Sequence, residues 1–406
     1  MKRALHVFLA AILLVAVICF SLTAHDVLAQ NSPLVTEVFS AYSFGSTLQI
    51  NAHLVDEIQP VVIYIVLQPE GQTSRQVKVV TSGNNEISFT YDLQQDPLKP
   101  FSRIYFWYQF ELPDGTVQTS PSYWFDYADN RYEWKNTSTN LFEVYWTEGE
   151  AAFGQKIQDI ARQGLERATQ ILPVAPTLPI RIYVYPDADS LQDTLISTHQ
   201  QWVAGHASPE LGVILVSNGS DQANLLDLER QISHELMHIL QYQVTGSAYQ
   251  NAPAWLLEGL ASYSQTYPDP DSDRILSAAY ASHTLLSLDD MCQSFPIDAV
   301  EANIGYAQAG SVVEYMEDHF GAQVFPRILA RAGDGLSCSQ LLEETIGLST
   351  TQLEEDWKIA TFEDYKGSDN NHFWVLLVLI AIVVMIVVII MLRDLRRRKQ
   401  KSRSNG

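Results

Sequence analysis

Two rhythms of apolar and polar positions divide this chain. Between about residues 33 and 127 apolar side chains recur at every second position. Thr47-Leu48-Gln49-Ile50-Asn51-Ala52-His53-Leu54 alternates in this way, and so does Gln76-Val77-Lys78-Val79-Val80. Residues 61–67 form a short apolar run, and 103–112 are rich in aromatics. Turn formers at Pro69-Glu70-Gly71, Ser82-Gly83-Asn84-Asn85 and Pro113-Asp114-Gly115 separate these segments. A period of two sends alternate side chains to opposite faces of a strand. Short strands at this spacing predict an all-β sandwich of immunoglobulin- or fibronectin-like type over residues 30–128. Tyr105, Phe106, Trp107, Tyr108 and Phe110 read as core and cross-strand packing in preference to a carbohydrate platform.

The rhythm then changes. A polar, turn-rich bridge covers 129–140, and helices alternating with strands follow. Residues 150–172 have helical periodicity and stop before Pro173, since the residue ahead of a proline is pushed out of the helical region. Residues 179–185 and 212–217 read as strands, 221–244 as a helix, and further helices extend to about 365. This predicts an α+β domain over 140–366.

Both ends of the chain carry apolar stretches of another kind. Lys2 and Arg3 precede an apolar run over 7–20, and Val27-Leu28-Ala29 offers a cleavage site. The pattern is that of a secretory signal peptide over 1–29, with an uncleaved signal anchor as the alternative. Residues 373–392 contain no charge. As a helix rising 1.5 Å per residue they would span roughly 30 Å, the thickness of bilayer hydrocarbon. Trp374 stands where an indole suits the interface, and a helix apolar on every face is rare in a soluble core. The tail over 393–406 carries Arg393, Arg396, Arg397, Arg398, Lys399, Lys401 and Arg403, which favours its retention in the cytoplasm. The expectation is a single-pass protein of the cell membrane with an extracytoplasmic ectodomain and a short cytoplasmic tail.

That division sharpens the charge. The whole chain has 25 Lys+Arg against 47 Asp+Glu and a net charge of −22. Setting aside the two ends leaves 16 basic and 45 acidic residues, a net charge near −29. So acidic an ectodomain repels nucleic acid and anionic headgroups. Outside the signal segment the cysteines are Cys292 and Cys338, which form either one disulfide or two separate thiols. No CxxC-type pair is present to bind zinc.

The chemistry concentrates at His234-Glu235-Leu236-Met237-His238. Residues four apart on a helix share a face, so both imidazoles can reach one metal ion. Neutral imidazoles suit Zn²⁺, and three protein ligands leave a fourth position for water. Glu235, beside that face, can take a proton from such a water and deliver it to a leaving amine. Leu236, Ile239 and Leu240 would anchor this helix to the core. His199, His283 and His319 lack companions at ligand spacing, and His206 reads as a cleft-wall or surface residue.

Further on lies Ala254-Trp255-Leu256-Leu257-Glu258-Gly259-Leu260-Ala261. Its Trp-Leu-x-Glu-Gly-Leu-Ala pattern, placed after HExxH, resembles the second signature of the gluzincin zinc metallopeptidases, and most of all their peptidase-MA-like group. The resemblance implies a zincin-like fold, a Zn²⁺ cofactor, His234, His238 and Glu258 as metal ligands, and Glu235 as general base. It also implies that Tyr306, in Gly305-Tyr306-Ala307-Gln308-Ala309-Gly310, opens a helix and donates to the oxyanion. Tyr263 and Tyr315 read as core. The strand over 212–217 resembles the edge strand along which such enzymes order an extended peptide, with Trp202, Gly205 and His206 bordering the cleft.

Two departures narrow the expectation. Ser262 stands where thermolysin-type enzymes carry an Asp four residues after the third ligand, leaving the histidines' outer partner unassigned. The Gly-x-Met-Glu-Asn motif with which aminopeptidases hold an amino terminus is absent, which favours an endopeptidase. The expected function is hydrolysis of peptide bonds in peptides or proteins by metal-activated water. The alternative is a cell-surface binding or adhesion protein whose metallopeptidase-like domain is inactive.

Overall fold

The computed structural model describes residues 34–55, 59–79, 81–82, 85–177, 179–197, 205–218 and 224–404. The predicted signal segment lies outside them, as do His199 and Trp202. The chain forms two compact units, Met1–Tyr132 with Thr194–Gln201, and Glu133–Asp193 with Trp202–Gly406.

The first unit is all β among its described residues before 133. Its strands are β1 (Val35–Ser43), β2 (Thr47–Leu54), β3 (Val62–Pro69), β4 (Arg75–Val79), β5 (Thr81–Ser82), β6 (Glu86–Asp92), β7 (Ser102–Glu111), β8 (Val117–Thr119) and β9 (Tyr123–Tyr127). One antiparallel sheet runs β1-β2-β6-β5; the other runs β4-β3-β7-β8, with β9 also on β7. The alternation of β2 buries Leu48, Ile50, Ala52 and Leu54. In β7 it buries Ile104, Phe106, Tyr108 and Phe110, while Tyr105 and Trp107 lie half-buried on the other face. Gly71 and Gly115, with φ of +72° and +80°, make the turns after β3 and β7, a backbone region open to glycine.

The second unit is a five-stranded sheet faced by helices. Its strands are β10 (Lys135–Ser138), β11 (Phe142–Trp146), β12 (Ile180–Tyr185), β13 (Gly205–Ser208) and β14 (Val213–Ser217), in the order β10-β11-β12-β14-β13. The three central strands are parallel, and β10 and β13 are antiparallel edges. Two expectations change here. The bridge over 129–140 contributes β10, whose side chains are polar and mostly exposed, so only its backbone pairing reveals it. The strand predicted at 212–217 is not the edge: β14 is buried between β12 and β13, matching its unbroken apolar run, and the edge is β13.

The helices are α1 (Ala151–Ile171), α2 (Ala188–Ser197), α3 (Asn224–Thr245), α4 (Ala254–Tyr263), α5 (Ser272–Ala281), α6 (Ala299–Phe320), α7 (Val324–Leu329), α8 (Cys338–Ile346) and α9 (Thr350–Ser404). α1 buries Ile157, Ile160, Ala161, Leu165, Ala168 and Ile171, a stripe at helical spacing. Its Gly164 lies so close to Ser233 of α3 that an added Cβ would sit 3.2 Å from the Ser233 Cα. Cys292 and Cys338 are bridged, tying the loop before α6 to α8. α9 begins inside the core through Leu353, Trp357 and Phe362, with the Trp357 indole donating to Ser311 Oγ at 3.1 Å, and continues as helix to Ser404. Among the described residues no helix is long and apolar enough to cross a membrane. Of the predicted span 373–392, side chains are described only for 377–391, all of them exposed.

Candidate metal centre

α3 brings the HExxH residues together. Leu228, Ile232, Leu236, Ile239 and Leu240 face the core and are fully or almost fully buried. That orientation turns His234 and His238 to one side, one helical turn apart, with ring centroids 5.1 Å from each other. The chain then passes through a 3₁₀ segment, Gly246–Asn251, into α4. The first amides of α4, from Ala254 and Trp255, donate to the carbonyls of Cys292 and Met291 at 2.8 and 3.0 Å. These are donors that a helix start leaves unpaired, and the disulfide-tied loop satisfies them. α4 in turn packs on α6 at a close crossing. A Cβ on Gly259 would lie 2.6 Å from the Ala309 carbonyl oxygen, so glycine beside Glu258 lets the two helices meet.

The crossing points Glu258 at the histidines. Its Oε2 is 3.3 Å from Nε2 of His234 and 3.7 Å from Nε2 of His238. The three donor atoms lie within 4.8 Å of one another. Ligands about 2.0–2.1 Å from a tetrahedral zinc ion are themselves spaced about 3.3 Å apart. The two Glu258 contacts lie close to that spacing, and two imidazoles with one carboxylate suit Zn²⁺ in chemistry. Burial alone would raise the Glu258 carboxyl, but His238 and then His234 outweigh it and hold it below the usual carboxylate range.

Glu235 lies against the edge strand. It is buried, and the Ala207 amide of β13 hydrogen-bonds it. A Cβ on Gly205 would come within 2.7 Å of its Oε1, so any larger residue there would displace the carboxyl. Burial is the largest influence on this carboxyl, followed by His238, which lowers it, and Glu258, which raises it; together they push it up to about 7. A cation held by the neighbouring donors would draw it back down.

Tyr306 reaches the same place by a different route from the one expected. It does not open a helix, because α6 starts at Ala299 on an Asp298 cap that accepts from the amides of Val300 and Glu301. Tyr306 is two turns further in, its ring 6.0 Å from that of His234 and 4.7 Å from Phe295. Burial, then the charges of Glu258 and Glu235, push its hydroxyl pKa up, which keeps it a proton donor.

Three residues around the donors carry no motif in the sequence. Nδ1 of His238 is 3.0 Å from both Gln241 Oε1 and the Tyr249 hydroxyl, and Nδ1 of His234 is 3.4 Å from the Gln265 amide. A glutamine one turn after the second histidine was the available signal. Ser262, which stands in place of the thermolysin-type Asp, has a buried hydroxyl with no partner among the described residues. His206 lies on β13, and His283 and His319 are exposed away from the donors. Tyr263 and Tyr315 are partly buried against the core.

The model of the peptidase MA superfamily matches residues 160–362, half of the chain, and the chain belongs to that superfamily. No curated protein matches it significantly. Among solved structures, an aminopeptidase N family protein from Idiomarina loihiensis is 9% identical, with a TM-score of 0.41, covering 80% of this chain and 75% of its own. A two-domain M1 zinc metallopeptidase is 12% identical with a TM-score of 0.37, covering 80% and 90%. The M1 zinc metallopeptidase of Deinococcus radiodurans is 12% identical with a TM-score of 0.34, covering 77% and 88%.

Proposed function

We propose that this chain is a zinc-dependent peptidase that acts as an endopeptidase on peptides or proteins outside the cytoplasm. One observation carries the reading: two imidazole Nε2 atoms and a carboxylate oxygen converge within 4.8 Å, with the buried Glu235 carboxyl beside them. His234, His238 and Glu258 would hold the ion. When bound, zinc supplies Lewis acidity and makes a coordinated water acidic enough to ionise near neutral pH. Glu235 accepts the water's proton and returns it to the leaving amine. Tyr306 donates its hydroxyl hydrogen to the oxygen of the peptide carbonyl under attack. Among the described residues β13 is an edge strand of the sheet, beside Glu235, and an extended peptide would run along it. The sequence has no Gly-x-Met-Glu-Asn motif for holding a substrate's amino terminus, and this favours the endopeptidase reading.

The N-terminal sheets support the immunoglobulin- or fibronectin-like sandwich, since β1-β2-β6 and β4-β3-β7 are separate antiparallel groups. The anchor is part of the same proposal. Residues 377–391 are exposed apolar side chains on a helix, inside a 20-residue uncharged stretch with a basic tail behind it. A signal peptide at the other end would place the catalytic unit outside the cytoplasm.

The test is the purified full chain in detergent. It should hold one zinc ion and cleave casein-like or library peptides internally. Chelation should abolish cleavage, and added zinc should restore it. A zinc-free protein, or cleavage that survives chelation, sinks the reading.

A further inference from the structure

His238 and Glu258 come from two helices, and one side chain touches the mounting of both. Gln241 lies one turn beyond His238 on α3 and is completely buried. Its Oε1 is 3.0 Å from Nδ1 of His238, and its Nε2 donates to the carbonyl oxygen of Leu257 at 2.8 Å. A carbonyl oxygen only accepts, so the amide must turn its NH₂ toward Leu257 and its oxygen toward His238. An oxygen in that place requires the proton on Nδ1. Nε2 then carries the lone pair, and Nε2 is the atom 3.7 Å from Glu258 Oε2. The other tautomer would set the Nδ1 lone pair against Oε1, leaving two buried acceptors facing each other. Tyr249 does not impose this choice, because a hydroxyl 3.0 Å from Nδ1 can donate or accept. Leu257 directly precedes Glu258, so the same amide also restrains the backbone that carries the third donor.

We propose that Gln241 is a positioning residue that locks His238 in the Nδ1–H tautomer and registers α4 on α3, so that His238 and Glu258 face the ion as a preset pair. The inference rests on the metal-site reading above. It assigns the outer partner that Ser262 does not supply.

Two measurements test it on the full chain. In the metal-free protein above the imidazole's titration range, histidine ¹⁵N NMR should show His238 with its proton on Nδ1. A proton on Nε2 overturns the proposal, and this readout needs neither metal nor substitution. Zinc affinity by chelator competition should fall about 10–100-fold in Gln241→Leu, and the Co²⁺ absorption spectrum should lose its tetrahedral intensity. Tyr249→Phe, which leaves the Gln241 bonds in place, should weaken zinc binding less than Gln241→Leu does. Zinc affinity unchanged in folded Gln241→Leu, checked by circular dichroism, overturns the proposal, as does its loss in Tyr249→Phe instead. If Gln241→Leu does not fold, the tautomer in the wild type decides. A wild type that binds no zinc removes the metal-site reading itself, whichever tautomer is found.

Discussion

Glu235 shows how much one residue's role depends on what surrounds it. Its neighbours on α3 fix its direction, β13 removes water from it, and Gly205 leaves room for its carboxyl. Replacing it with Gln keeps the shape and removes the base. Glu235→Gln should therefore lower kcat by about 10²–10⁴-fold, while zinc content by atomic absorption stays at the wild-type level. Tyr306→Phe should lower kcat by about 10²–10³-fold with little change in zinc affinity, the result expected when an oxyanion donor is removed. Equal loss of zinc in either variant would assign the residue to folding instead. At this scale the sequence was most legible where spacing encodes geometry. His234 and His238 four apart on a helix need no tertiary information to share a face, and Glu258 followed from a signature. Tyr249 and Gln265 leave no mark in the sequence, and Gln241 only its place one turn after His238, because their contacts depend on how α3, the 3₁₀ segment and α4 fold back on one another.

The elements whose periods are strong sit close to where the pattern put them: 47–54 as β2, 150–172 as α1, and 221–244 as α3. The misreadings share a physical cause. β10 is polar on both faces, and the position of β14 in its sheet depends on β13, a four-residue strand with no hydrophobic signal. The resemblance puts Tyr306 at a helix start with a small-residue turn behind it, yet those small residues let α6 lie against α4 and Phe295. The α4–α6 crossing makes the same point in testable form. Gly259→Ala places a methyl where the Ala309 carbonyl lies, and helix backbones do not yield as a flexible side chain would. It should destabilise the protein by roughly 1–3 kcal/mol, read as a lower thermal midpoint, and it should weaken zinc binding because Glu258 moves with the helix. An unchanged midpoint would mean the crossing relaxes freely.

At the scale of the whole molecule, the anchoring proposal has a direct check. Expressed with its C-terminal helix, the protein should sediment with membranes and resist carbonate extraction. A chain ending at residue 371 should be released with kcat/KM unchanged, because the proposed metal donors lie on α3 and α4. Release of the full-length chain by carbonate would refute the anchor. The sequence alone supported the apolar span and the acidity of the rest. It did not reveal that α9 is one uninterrupted helix whose first turns belong to the peptidase core.

That continuity has a consequence for which substrates are within reach. Phe362 is buried in the second unit, the uncharged stretch begins at 373, and helix joins them without a break. At 1.5 Å per residue the connection is only about 15 Å long. If the helix leads into a bilayer, it would act as a ruler and not as a flexible tether. On the anchored reading the cleft works at a nearly constant height above the lipid, and the scissile bonds available to it are those presented within that narrow layer, in stalks and juxtamembrane loops.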